Sequence, residues 1–247
     1  MSGVEGVSAL KNVEAFDPSS KKLNGYSIFK AHVDAIGGSY NVKNDKNYYT
    51  KGDIDMNHNM FEFEERGMKP LRNRLDIYQD GEIAYSSGDN GVWLWVKNGE
   101  NISKFPDASA ERNLNIARDE LDYMNPDSDY FSIDSVKKKV VDGRQTYEIK
   151  VTNSMNSDEN YYYYDAKTFM LNKDKYIRNG KTVETTYSDY KDVGGVKKAH
   201  KITTKNLSTN RYETKNIKEY KRNILMDKEV FDVPEKEDES LLNFNIA

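Results

Sequence analysis

The stretch "DIDMNH" brings Asp53, Asp55 and His58 close together, and carboxylates and imidazoles are the groups that bind divalent metals or move protons. Asp53 and Asp55 would share one face of a strand, with His58 beyond them in a turn. A metal centre needs a further ligand and outer hydrogen bonds to orient it, and neither is evident nearby. A solvated strand face explains these residues more cheaply, so no metal is expected. "NPDSDY", residues 125–130, has the acidic spacing of a calcium loop but lacks its glycine and distal glutamate, and reads as a helix-ending turn.

The three histidines, His32, His58 and His200, are far apart. No G-x-S-x-G elbow, H-E-x-x-H pair or phosphate-binding glycine loop occurs. The absence of cysteine removes disulfides, thiolate zinc sites and cysteine nucleophiles together. A non-catalytic protein without a cofactor is expected. Net charge is -4 with both signs interspersed, unlike the basic stripe of a nucleic-acid binder, so no nucleic-acid partner is expected. No apolar run is long enough to form a transmembrane segment.

With chemistry thinly represented, the elements carry more of the argument. The 18 Tyr, 9 Phe and 2 Trp supply large apolar area in a chain whose apolar fraction is only 36%. One helix is predicted from Asn24 to Ile36, capped by Asn24 and striped by Ile28, Phe29, His32, Val33 and Ile36. Gly37 and Gly38 end it. Alternation then takes over. Phe61 and Phe63 alternate with Glu62 and Glu64 in "MFEFEE". "RLDIYQDGEIAY" places Leu75 and Ile77 on one face, turns at Asp80-Gly81 and returns through Ile83. "GVWLWVKNGENISKF" repeats that design around Asn98-Gly99, with Trp93 and Trp95 on one face. A second helix is predicted over residues 108–124, with Leu114 and Leu121 on its apolar side. Strands resume from "RQTYEIKVT" and continue to "VFDVP".

The expected fold class is α+β, mainly β, with about eleven antiparallel strands joined by tight turns. Two helices cannot cover both faces of such a sheet. They can fill the hollow of a strongly curved one, an incomplete β-barrel whose concave face is apolar and whose convex face is wet. Residues 1–22 read as a flexible lead-in, 23–234 as a single half-barrel domain and 235–247 as a charged, then apolar, tail.

"FKAHVDAIGGSY", "VDGRQTYEIKVT", "YYYYDAKTFMLNKDKY", "YSDYKDVGGVKKAHKI" and "FDVP", in that order, resemble the LolA-like lipoprotein-sorting and lipoprotein-carrier superfamily. The resemblance spans roughly residues 24–234, and its motifs specify turns and packing. It implies a half-barrel with helices in its mouth, in the periplasm or cell envelope after removal of an export signal. It also implies lipid or lipoprotein acyl chains as partners. No functional residue carries over, because the key arginine of the better-known carriers matches no single position here.

The hydrophobic wall of a ligand cavity would come from Phe61, Phe63, Leu75, Ile77 and Ile83 on the strands and Val33, Ile36, Leu114 and Leu121 on the helices. Trp93 and Trp95 either join that wall or pack a central strand. If side chains fill the hollow, the rival expectation is an envelope module that binds a protein partner through exposed tyrosines and sheet edges. A hydrolase with scattered catalytic residues is the third.

Overall fold

In the computed structural model, Asn24 Oδ1 accepts a hydrogen bond from the Tyr26 amide at 3.0 Å and starts helix α1, Gly25–Ile36. The structure describes residues 24–106, 116, 121, 125–154, 158–178 and 180–234. Ile28, Phe29, His32 and Val33 form the buried stripe of α1, as their spacing requires. Gly37, at φ 135°, breaks the helix. The chain does not go directly into a strand, however. A second short helix, α2, Gly38–Lys43, follows at once. A Cβ on Gly37 would stand 2.2 Å from the Gly195 carbonyl oxygen, so only glycine fits this crossing.

Six strands come next: β1 Asn47–Met56, β2 Asn59–Met68, β3 Arg72–Gln79, β4 Glu82–Asp89, β5 Trp93–Asn98 and β6 Asn101–Pro106. Seven more follow: β7 Phe131–Val141, β8 Arg144–Asn153, β9 Glu159–Asp165, β10 Leu171–Arg178, β11 Lys181–Val193, β12 Val196–Asn206 and β13 Arg211–Arg222. They build one antiparallel sheet in the order β6-β5-β4-β3-β2-β1-β13-β12-β11-β10-β9-β8-β7. The β1–β13 pairing joins two meanders, leaving β6 and β7 as the edges.

Thirteen strands exceed the eleven or so expected. The first meander holds six, and β7 is a strand whose Lys137–Lys139 run hides its alternation. The turn at Asp80-Gly81 is as expected, with φ of 53° and 86° suited to a tight two-residue hairpin. Of the helix predicted over 108–124, only Ile116 and Leu121 lie within the described residues; Ile116 is helical and Leu121 lies in a turn.

α1 crosses one face of the sheet. At its start, a side chain on Gly25 would meet Ile133 and Val136 of β7; at its end, Gly37 touches the β11–β12 turn. Twelve residues of helix span about 18 Å. Four strand spacings already measure about 19 Å along the sheet, before any offset along the strands. The helix is a chord, and the open sheet bends around it.

Arg222 ties the helices to this frame. Its Nε donates to Asp45 Oδ1 at 2.9 Å, Nη1 to the Gly194 carbonyl at 2.6 Å and Nη2 to the Asn41 carbonyl at 2.8 Å. Lys198 pairs with the other oxygen of Asp45. Burial alone would raise the Asp45 pKa, but the charges and hydrogen bonds of Lys198 and Arg222 outweigh it and hold the carboxyl below its ordinary value.

Candidate functional site

Residues paired across an antiparallel ladder share a face, so the register identifies the concave side. Phe29 of α1 meets Tyr162 and Tyr164 edge-on, each at 5.8 Å between ring centroids. Those tyrosines pair with Ile149 and Tyr147 on β8 and with Asp174 and Leu171 on β10. Following the same face across the sheet leads through Thr185, Thr204 and Ile202 to Lys215, Ile217 and Tyr220 on β13. It continues through Thr50, Gly52 and Ile54 on β1 to Glu65, Phe63 and Phe61 on β2. It then passes to Leu75 and Ile77 on β3 and to Ser87 and Tyr85 on β4.

The concave face is not uniformly apolar. One apolar patch lies under α1, where Ile28 and Phe29 pack with Phe131, Tyr147, Ile149, Val151 and Tyr164. His32 seals its margin. Its Nδ1 donates to the Phe169 carbonyl at 2.8 Å, and its ring lies 4.8 Å from Tyr164. Burial lowers the His32 pKa, against a smaller opposing effect of that hydrogen bond.

The second patch lies toward the other end of the sheet. Ile54, Phe63 and Ile217 are buried together, with Met56, Phe61, Leu75, Ile202 and Tyr220 packed around them. No residue of α1 or α2 belongs to this patch. It gathers Phe61, Phe63 and Leu75 from the predicted wall; Ile77 is buried beside them as the ladder partner of Phe63. Val33 is buried in α1 and Ile36 is half-buried at its end. Leu121 is buried, and Leu114 lies outside the described residues.

Ile83, Trp93 and Trp95 lie elsewhere. Ile83 pairs with Tyr78, one position out of phase with the Ile77 face, and is exposed. Trp95 pairs with Gly88, whose neighbour Ser87 is on the concave side, so both tryptophans face the convex side. There Trp95 is 1% exposed and Trp93 41% exposed. The cover for Trp95 is the 3-10 turn Lys228–Phe231, whose Phe231 carbonyl accepts from the indole N–H at 3.0 Å. Arg74 donates to the Val230 carbonyl and to Asp76, and Asp76 also accepts from Ser86 and Arg66. The convex side therefore has a small core of its own beneath the returning chain.

A polar strip that no sequence motif marks runs from Asp174 on β10 to Glu65 on β2 and interleaves with the second patch, sharing Tyr220 with it. Tyr187 donates to Asp174 at 2.7 Å. Glu65 receives Tyr48 at 3.1 Å on one oxygen and Lys215 at 2.7 Å on the other. Thr50 and Tyr220, ladder partners, lie beside them. Burial raises the Tyr220 pKa, and the negative charges of Asp45 and Glu65 raise it further. The pattern that carries it is Tyr48 and Thr50 on β1, Glu65 on β2 and Lys215 on β13, which stand in phase with Ile54, Phe63 and Ile217.

"DIDMNH" sits at the β1–β2 tip. Asp55 accepts from the His58 amide at 2.8 Å, and the Tyr212 hydroxyl lies 3.2 Å from Asp55 Oδ2 and 3.0 Å from His58 Nδ1. Asp53 pairs with Lys218. An open concavity of about 1080 Å³ adjoins this tip, bordered by Asp53, His58, Phe61, Glu62, Tyr78 and Asp80. Among the described residues, no three such side chains are arranged to hold a metal ion.

No protein-family model matches the sequence, and no curated protein matches it. Solved structures do match the fold. A LolA superfamily protein from Nitrosomonas europaea superposes with a TM-score of 0.58 at 14% identity, covering 86% of this chain and 99% of that one. A DUF1329 family protein from Desulfovibrio piger gives 0.56 at 11% identity, covering 83% and 96% respectively. An outer membrane lipoprotein-sorting protein domain from Vibrio parahaemolyticus gives 0.54 at 11% identity, covering 88% and 97%. At these identities the likeness carries the fold and no more, and the fold is the LolA-like open half-barrel that the motifs of the sequence resemble.

Proposed function

We propose that this protein binds and carries lipid or lipoprotein acyl chains outside the cytoplasm, without catalysing a reaction. The observation that carries this reading is the division of the concave face. α1 covers one apolar patch, while Ile54, Phe61, Phe63 and Leu75 form another that includes no residue of α1 or α2. An acyl chain is the ligand whose chemistry matches such a wall, gaining about 0.8 kcal/mol for each methylene removed from water. The fold agrees, since one of its solved examples is named for outer membrane lipoprotein sorting. The periplasm or cell envelope is the corresponding location.

The test is native mass spectrometry of protein purified from a bacterial envelope, with solvent extraction of whatever it holds. The expected result is a bound species of lipid mass and a rise in Tm when acyl lipid is added to stripped protein. Empty protein, with no lipid raising its Tm, would contradict the proposal.

A second reading, docking of an envelope protein, has one specific support. Leu94 and its ladder partner Phe105 are exposed side by side on one face of the β5–β6 edge, with Trp93 exposed on the other, whereas the β7 edge carries Lys137, Lys138 and Lys139. A photocrosslinker at Phe105 that captures one envelope protein, while no lipid is extracted, would favour it.

A further inference from the structure

The polar strip holds an unfilled requirement. Thr50 is 2% exposed, and its hydroxyl has no hydrogen-bond partner. Among the described residues, only Asn172 Nδ2 shares that condition. A buried hydroxyl without a partner is disfavoured, because it has lost water and gained nothing in return. In register, Thr50 stands between Glu65 on β2 and Tyr220 on β13, on the face that also carries the second apolar patch.

We propose that this strip is the head-group subsite of the bound lipid, with Thr50 at its centre, and that it selects a neutral, hydroxyl-bearing acyl glycerol. The inference rests on the lipid-binding reading above and adds to it the class of lipid.

The surrounding groups set that preference. Both oxygens of Glu65 are engaged, and Lys215 balances its charge. Among the described residues beside the strip, each cation already has a carboxylate partner: Lys215 is on Glu65, and Lys198 and Arg222 share Asp45. Tyr220 remains a protonated phenol at neutral pH, because burial and nearby carboxylates oppose its ionisation. The His200 ring lies 5.9 Å from the Tyr220 ring, and its Nδ1 is 2.9 Å from the Lys198 carbonyl. With Nδ1 donating to that carbonyl, Nε2 is the ring nitrogen left for a further partner. Thr50 can donate and accept, Tyr220 can donate and His200 presents Nε2. Glycerol hydroxyls and an acyl ester carbonyl supply the complementary set. Two residues along β1 from Thr50, Gly52 pairs with Phe63, so a chain leaving the subsite meets the second patch at once.

The test uses three probes with chains of equal length: 1-monooleoylglycerol, oleate and 1-octadecene, each displacing a fluorescent fatty probe from the stripped protein. Wild type should hold monooleoylglycerol most tightly. Thr50→Val should weaken that ligand about fivefold, the worth of one neutral hydrogen bond, and leave octadecene unchanged. Thr50→Ser should retain the preference. Thr50→Val should also raise the Tm of the empty protein, since an unpaired hydroxyl becomes a methyl; this confirms that the variant folds. Equal binding of monooleoylglycerol by wild type and Thr50→Val would overturn the subsite, as would a preference for oleate or an equal loss for octadecene. Failure of wild type to bind any probe would overturn the lipid-binding reading with it.

Discussion

The two apolar patches of the concave face are built in different ways. Under α1, rings interlock: Phe29 meets Tyr162 and Tyr164 edge-on, and Tyr147 stacks on Phe169 at 6.0 Å. His32 fastens the helix to the Phe169 carbonyl, and Arg222 ties α2 at Asn41 to Asp45 ahead of β1 and to Gly194 in the β11–β12 turn. The patch on β1–β3, β12 and β13 has a few fully buried members surrounded by half-buried ones, and it borders charged and hydroxyl groups. A specific aromatic lock suits a permanent core. A patch with a soft margin suits a surface that exchanges partners, because its members lose less when one neighbour replaces another.

The sharpest way to break this comparison is truncation on each side. Phe29→Ala should cost about 4 kcal/mol, because the cavity lies in a packed ring cluster. Phe61→Ala, at a half-buried position, should cost about 1 kcal/mol while weakening acyl-chain binding. Urea unfolding measures the first quantity and probe displacement the second. Equal costs on the two sides would erase the distinction.

Arg222→Ala should rank next in effect on stability, at about 3 kcal/mol, since it leaves Asp45 buried opposite Lys198 alone. Its effect should fall on the α1 side. Amide exchange should quicken in α1 and α2 before it does in β2 and β3.

The smallest effect concerns pH. His32 is held neutral by burial, so its folded pKa lies below its unfolded value near 6.5. The stability it contributes is present above about pH 6.5 and is lost as pH falls through the folded value. His32→Gln, which can still donate to the Phe169 carbonyl, should flatten that part of the curve. An unchanged pH dependence in the variant would show that the helix margin is not where protons are taken up.

Local patterns made much of the frame legible. Asn24 and the stripe after it define α1, and Asp80-Gly81 marks its hairpin. Within "YYYYDAKTFMLNKDKY", Asp165 folds the turn after β9 by accepting from the Lys167 and Thr168 amides. What the sequence could not show is which face of a strand is covered, and by what. Alternation puts Trp93 and Trp95 on one side, but only the ladder register shows that this side is convex, and only the chain returning at Phe231 shows what covers Trp95. The alternation of β7 is hidden in the sequence because three lysines at an exposed edge break the period. The polar strip escaped because Thr50, Glu65 and Lys215 look like solvated residues until the ladder sets them in phase with Ile54 and Phe63.

The most direct test of the central claim locates the chain itself. Methyl-labelled protein is loaded with a monoacylglycerol carrying a nitroxide near the end of its acyl chain, and methyl NMR signals are compared before and after reduction of the label. The methyls of Ile54, Leu75, Ile77 and Ile217 should broaden, while those of Ile149 and Val151 beneath α1 stay sharp. Broadening confined to Ile149 and Val151, or absent from both groups, would contradict the account.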